Sequence, residues 1–286
     1  MRTPGGKALI AASMLWCAAA PPPAGAETWQ KSFALSGPAD VRVVTDHARV
    51  RLDPWKRRAV DVRVATTGWS IGPGGLRVSA ADEGGRIRIE VLLPPWGFAP
   101  DWTHRSIEIV VRLPDSADVD IETEDSDVQI PPMRGRFRVR TWDGLITVQG
   151  LAGRIEMRSG DGPIRARGLA GSLAAEAGDG DLEVEGRFDR LDLETRNGAL
   201  IARVAPGSVP AADWKLETTD GEIVLQTPRD LGAVLDVATE RGRIELAREG
   251  VRPSRSKRTR LRETLGAGGP ALRLRSRRGT IMLDLR

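Results

Sequence analysis

The sequence predicts an all-β fold: a single-stranded β-solenoid, or β-helix, of about 18-residue rungs with two short strands each. Three observations predict it. Ser126, Gly144, Gly162, Gly180 and Gly198 fall 18 residues apart without slippage, preceded by Asp125, Asp143, Asp161, Asp179 and Asn197. Apolar residues recur at fixed offsets, as Val128, Ile146, Ile164, Leu182 and Leu200, and again as Phe137, Ile155, Leu173 and Leu191. Within each unit they alternate with polar residues, as in Ile146-Thr147-Val148-Gln149 and Ile155-Glu156-Met157-Arg158, which is the period of a strand.

Corners separate the strands: Gly150-Leu151-Ala152-Gly153 on one side, Ser159-Gly160-Asp161-Gly162 on the other. Glycine is expected there for its positive φ, and aspartate to close each turn through its own backbone. An 18-residue period also suits a hexapeptide helix, which needs an apolar residue every sixth position. Steps of six from Ile146 reach Ala152 and Arg158, and from Ile164 they reach Ala170 and Glu176, so that reading fails. In-register stacking sets Asp118, Asp120 and Glu122 beside Arg136, Arg138 and Arg140, and Arg165 and Arg167 beside Glu183 and Glu185. Such exposed pairs tune register more than they hold the fold. Both hands accept two-strand coils; the right-handed one is preferred.

Taken in order, residues 1–26 read as a secretory signal: Arg2 and Lys7, an apolar stretch from Ala8 to Ala20, then Ala24-Gly25-Ala26 as cleavage site. Cys17 follows Trp16 rather than a small residue, which argues against lipidation, and it leaves with the signal. The remaining chain holds no cysteine, which excludes disulfides, thiol nucleophiles and thiolate metal sites. It carries 41 Lys+Arg against 39 Asp+Glu. That balance gives no argument for nucleic acid, and no transmembrane segment follows the signal.

Residues 27–104 read as a β region leading into the solenoid, with Val41, Val43, Thr45, Val50 and Leu52 in the solenoid rhythm and Ala48 in the glycine place. The Pro/Gly-rich loop 94–104 carries Trp96, Phe98 and Trp102, a cap over the core edge or a contact for sugar or membrane. Residues 105–286 are the regular repeats. The period stretches after Gly198, and the extra residues fit an outward loop around Pro206 to Trp214. From 247 to 271 runs a basic loop, read as mobile, in which Arg255, Lys257, Arg258 and Arg260 are candidate contacts for an anionic envelope surface. Residues 272–285 form the last rung, and this rung or the basic loop protects the terminal edge.

Little chemistry is encoded. The column Asp125, Asp143, Asp161 and Asp179 offers oxygen ligands for calcium, yet the dense Gly-Gly-x-Gly-x-Asp pattern is absent and Asn197 breaks it; turn-making is the better reading. No metal or cofactor is expected. His47 and His104 form no metal cluster, and there is no phosphate-binding glycine loop.

The units SGDGPIRARGLAGSLAAEAGDGDLEVEG, the strand SIEIVVRLPDSADVDIET and the closing LRLRSRRGTIMLDLR resemble the bacterial putative adhesin domain family, a domain family of unknown function. The likeness runs from about Val41 to the end. It implies a repetitive β-solenoid, exported or membrane-tethered, and it carries over no catalytic residue. The expectation is an exported, non-enzymatic, adhesin-like binding or scaffold protein of the cell envelope, periplasmic or surface-exposed. Its partner would be a glycan, an anionic lipid or a protein. The alternatives are a carbohydrate-active β-helix enzyme and an envelope assembly or stress factor.

Overall fold

The structure, a computed structural model, describes residues 26–94, 105–248, 251–256 and 259–286. Among them there is no helix, and 23 strands join in one hydrogen-bonded network. Nearly every body strand alternates buried and exposed residues, because a pleated strand with one covered face needs apolar side chains at every second position.

The N-terminal end contains β1 (Ala26–Ala34), β2 (Ala39–Thr45), β3 (Arg49–Trp55), β4 (Ala59–Thr67), β5 (Arg77–Glu83), β6 (Arg86–Leu92) and β7 (Ser106–Pro114). These do not simply lead into the repeats. The pair β2/β3 lies between β6/β7 on one side and β8 (Ala117–Thr123) and β9 (Val128–Ile130) on the other, all parallel. Antiparallel strands close this end: β5 on β6, β4 on β7, and β1 on β4.

The body continues with β10 (Met133–Thr141), β11 (Ile146–Gln149), β12 (Leu151–Ser159), β13 (Ile164–Ala177), β14 (Leu182–Thr195), β15 (Leu200–Val204), β16 (Trp214–Thr218) and β17 (Ile223–Thr227). They form two parallel ladders. Phe137 pairs with Ile155, Ile155 with Leu173 and Leu173 with Leu191 in one; Ile146 pairs with Ile164 and Ile164 with Leu182 in the other. The 18-residue period is therefore the register of the pairing. Both ladders bury their inward columns in one apolar core.

Three local expectations are corrected. First, β13 and β14 run 14 residues each through the corner, so there the two strands merge, with register shifts between Ala166/Leu169 and Gly171/Ser172. Second, positive φ occurs at Gly150 and Gly153 but not at Gly144, Gly162, Gly180 or Gly198. The last four are glycine because a Cβ would stand 1.9 to 2.2 Å from the carbonyl oxygen of the preceding rung. Third, at three corners a threonine hydroxyl three residues before the glycine closes the turn, where an aspartate bond was expected. Thr141, Thr195 and Thr218 accept through Oγ1 from the N–H of Gly144, Gly198 and Gly221. Of the expected charge pairs, Arg136 lies 4.0 Å from Asp118; the other arginines with ion pairs take different neighbours, Arg138 standing 3.3 Å from Glu156, Arg140 4.0 Å from Asp120 and Arg167 3.2 Å from Glu183.

Toward the C-terminus lie β18 (Ala233–Thr239), β19 (Ile244–Arg248), β20 (Val251–Ser256), β21 (Arg260–Leu265), β22 (Ala271–Ser276) and β23 (Ile281–Leu285). Trp214 is not in an outward loop: it is 1% exposed and meets Phe188 edge-on at 6.4 Å. The segment 247–271 is not a plain loop either. β20 pairs antiparallel with β19 and β21 with β18, so the basic stretch closes both ladders. The last strands of the chain are not terminal in space. β22 lies between β16 and β18, and β23 between β17 and β19.

Candidate functional site

Each corner on the aspartate side presents an outward position two residues before the glycine. Successive rungs place Glu124, Trp142, Gly160, Gly178 and Arg196 there. The column holds because Trp142 N–H donates to the Glu124 carbonyl (2.8 Å), Asp161 N–H to the Trp142 carbonyl (2.7 Å) and Arg196 N–H to the Gly178 carbonyl (2.9 Å). Trp142 is 66% exposed. Its indole lies over the next rung because Gly160 has no side chain: a Cβ on Gly160 would stand 3.2 Å from Trp142 Cδ2. Gly178 extends the bare floor by one more rung, and Arg196 ends it.

The result is a depression of about 520 Å³ along the corner. Its walls include Glu122, Arg140, Arg158 and Glu176 from the adjoining ladder. The guanidiniums are already matched with carboxylates: Arg158 lies 3.4 Å from Glu176, Arg140 4.0 Å from Asp120, and Arg196 3.9 Å from Asp179. The trough thus offers hydrogen-bond donors and acceptors without an uncompensated positive charge. An aromatic face beside such groups can take a sugar, whose C–H face stacks while its hydroxyls bond to the walls.

The expected site residues fare differently. Asp125, Asp143, Asp161 and Asp179 line up on the exposed corner just beside this column. Asp125 is 3.3 Å from His47 Nδ1, and Asp179 accepts from Asn197 Nδ2 at 2.7 Å. Among the described residues no three Asp, Glu, His or Cys side chains gather as a metal site. Trp96, Phe98, Trp102, Lys257 and Arg258 lie outside the described residues. Arg255 stands in β20 opposite Glu245. Arg260 opens β21 and lines a second depression, where Arg275 and Arg277 mix with Glu194, Glu217 and Glu240. Trp142 was not read as a candidate in the sequence. Its signal is there: one tryptophan in a column otherwise filled by glycine and charged residues. Among the described residues no helix is long and apolar enough to cross a membrane.

No family profile matches this chain, and neither does any curated protein. Solved structures are similar over 91% of it. One is called a putative adhesin from Parabacteroides distasonis (8% identity, 97% of that chain, TM-score 0.43). Another is called a putative adhesin from Bacteroides fragilis (7% identity, 97% of that chain, TM-score 0.37). A third, also from Parabacteroides distasonis, is called a putative lipid binding protein (10% identity, 97% of that chain, TM-score 0.32). At TM-scores this low the likeness assigns neither family nor ligand.

Proposed function

We propose that this chain is an exported, non-enzymatic, adhesin-like binding or scaffold protein of the bacterial cell envelope, periplasmic or at the surface, and that it binds glycan through the Trp142 trough. The two ladders are then the walls of one β-solenoid, two strands to a coil; pairing between residues 18 apart supports this. A right-handed winding is the expectation for parallel crossovers.

The observation that carries the reading is the indole of Trp142, held open to solvent above Gly160 on a rigid corner. The trough from Trp142 to Arg196 spans three rungs, about 14 Å at the usual strand spacing, room for a sugar ring and part of its neighbour. Because the wall carboxylates outnumber the guanidiniums, neutral or amine-bearing sugars fit better than uronic acids or phosphorylated ones. The loop 94–104 and the basic segment near Arg260 are further contacts proposed for the same surface.

The test is a screen of residues 27–286 against envelope oligosaccharides, peptidoglycan fragments and anionic vesicles, with and without Ca²⁺. Binding of a neutral or amino sugar that disappears in Trp142→Ala supports the site. Sugar binding that survives Trp142→Ala sinks it. Calcium-dependent binding lost in Asp143→Asn with Asp161→Asn would instead make the aspartate column the site.

A further inference from the structure

The C-terminal strands occupy a slot made by others. Leu274 of β22 stands between Leu216 and Val237, and Leu283 of β23 between Leu225 and Leu246. Among the described residues, β18 and β19 pair through their backbones only with β22 and β23 on the inner side and β21 and β20 on the outer. The closing module from Ala233 to Leu265 is therefore laddered to the body only through the last rung of the chain.

Two connections make this possible. After Thr227 the chain steps over one rung, about 9–10 Å, through residues 228–232. It returns from β21 through Gly266-Ala267-Gly268-Gly269-Pro270, in which Gly266, Gly268 and Gly269 have φ of +56°, +77° and +150°. The seat is specific. Leu272, Leu274, Ile281, Leu283 and Leu285 are buried. At the corner a Cβ on Gly279 would stand 2.0 Å from the Gly221 carbonyl oxygen, so the rungs close tightly on the segment. Asp213 and Asp236 each hold an arginine of β22, Arg273 and Arg275, at 2.7 Å. Arg229 N–H donates to the Arg286 carbonyl at 2.8 Å.

Both edges of the slot precede its occupant in the chain, so they leave a ribosome or an export channel first. We infer that residues 271–286 are a donor rung: they dock last, and the slot they fill accepts the same segment from a second copy of this chain. The inference is independent of the glycan reading. It differs from generic edge pairing because the slot has two strand edges, an apolar floor and fixed charge partners.

The experiment inserts a protease site after Gly268 in the otherwise unaltered chain, cleaves the folded protein, and adds a labelled synthetic segment 269–286 under mild urea. The labelled segment is expected to incorporate to one per chain. A segment with Leu274→Lys and Leu283→Lys is expected to bind at least about 100-fold more weakly, since it buries two unpaired charges. Amide exchange at Val234–Ala238 is expected to rise when the segment leaves, while Phe137–Ser159 stays protected. Failure of the labelled segment to incorporate while the body stays protected overturns the inference, as does equal binding of the double-lysine segment. Unchanged protection of Val234–Ala238 after the segment has left overturns it too. If the inserted site blocks folding, the unaltered chain refolded from urea at high concentration is expected to yield a dimer by size-exclusion chromatography, and monomer alone at every concentration overturns the inference.

Discussion

The carbonyl oxygen of Gly144 lies 2.2 Å from where a Cβ on Gly162 would stand. One rung thus sits directly on the next, and the glycine column is a steric requirement of stacking. Nothing flexible can yield, because the obstacle is backbone. Gly162→Ala is expected to destabilise by about 1–3 kcal/mol or more, as overpacking does. A urea midpoint unchanged from wild type would show that the rungs separate more easily than this contact implies.

Two tryptophans make a paired prediction. Trp214 is 1% exposed against Phe188, whereas Trp142 is 66% exposed. Trp214→Ala is expected to cost about 3–5 kcal/mol, the range for a buried aromatic. Trp142→Ala is expected to change stability by less than about 0.5 kcal/mol while abolishing sugar binding. Thermal melts and a binding titration on both variants check this; a large loss of stability in Trp142→Ala would make the residue structural rather than a contact.

The turn hydroxyls carry a third prediction. Thr195 is 1% exposed, and its Oγ1 accepts from Gly198 N–H at 3.3 Å. Thr195→Val keeps the shape and strands that donor, at a cost of about 1–3 kcal/mol. Changing the neighbouring outward Asp179 to Ala should cost less, since its partners Asn197 and Arg196 are at the surface. Chemical denaturation that ranks the two the other way would return the turn-closing role to the aspartates.

The repeat was legible because stacking in register writes the same requirement at one offset in every rung: Ile146, Ile164 and Leu182 are each fully buried in consecutive rungs. The position of the last rung was not. Leu272-Arg273-Leu274 satisfies the same alternation as Trp214-Lys215-Leu216 and Leu235-Asp236-Val237, so local pattern cannot say which two it separates. The basic excursion was misread for a related reason. An edge strand is protected from further pairing by charged residues and proline, and Val251-Arg252-Pro253-Ser254-Arg255-Ser256 has the composition of a solvated loop. Trp142 escaped notice because outward columns vary freely, and one aromatic among glycines stands out only once the rungs are aligned.

The final prediction concerns acid. Glu183 accepts from Arg203 at 2.5 Å and from Arg167 at 3.2 Å, and these bonds, Arg203's first, hold its carboxyl below the ordinary glutamate range against a smaller opposing effect of burial. A carboxylate lowered in the folded state adds stability that is fully present above its unfolded value. That stability is lost as pH falls through the lowered folded value. Glu183→Gln should therefore flatten part of the decline in stability as pH falls below the ordinary glutamate value, by no more than about 1 kcal/mol, because both partners remain in contact with solvent. Asp236, lowered by its bond to Arg275 at the donor rung, should behave alike, so Asp236→Asn is expected to loosen the C-terminal segment at neutral pH and to matter little in acid. Urea midpoints measured at half-unit pH steps for the wild type and both variants decide the point; parallel curves across that window would mean that these pairs contribute nothing measurable.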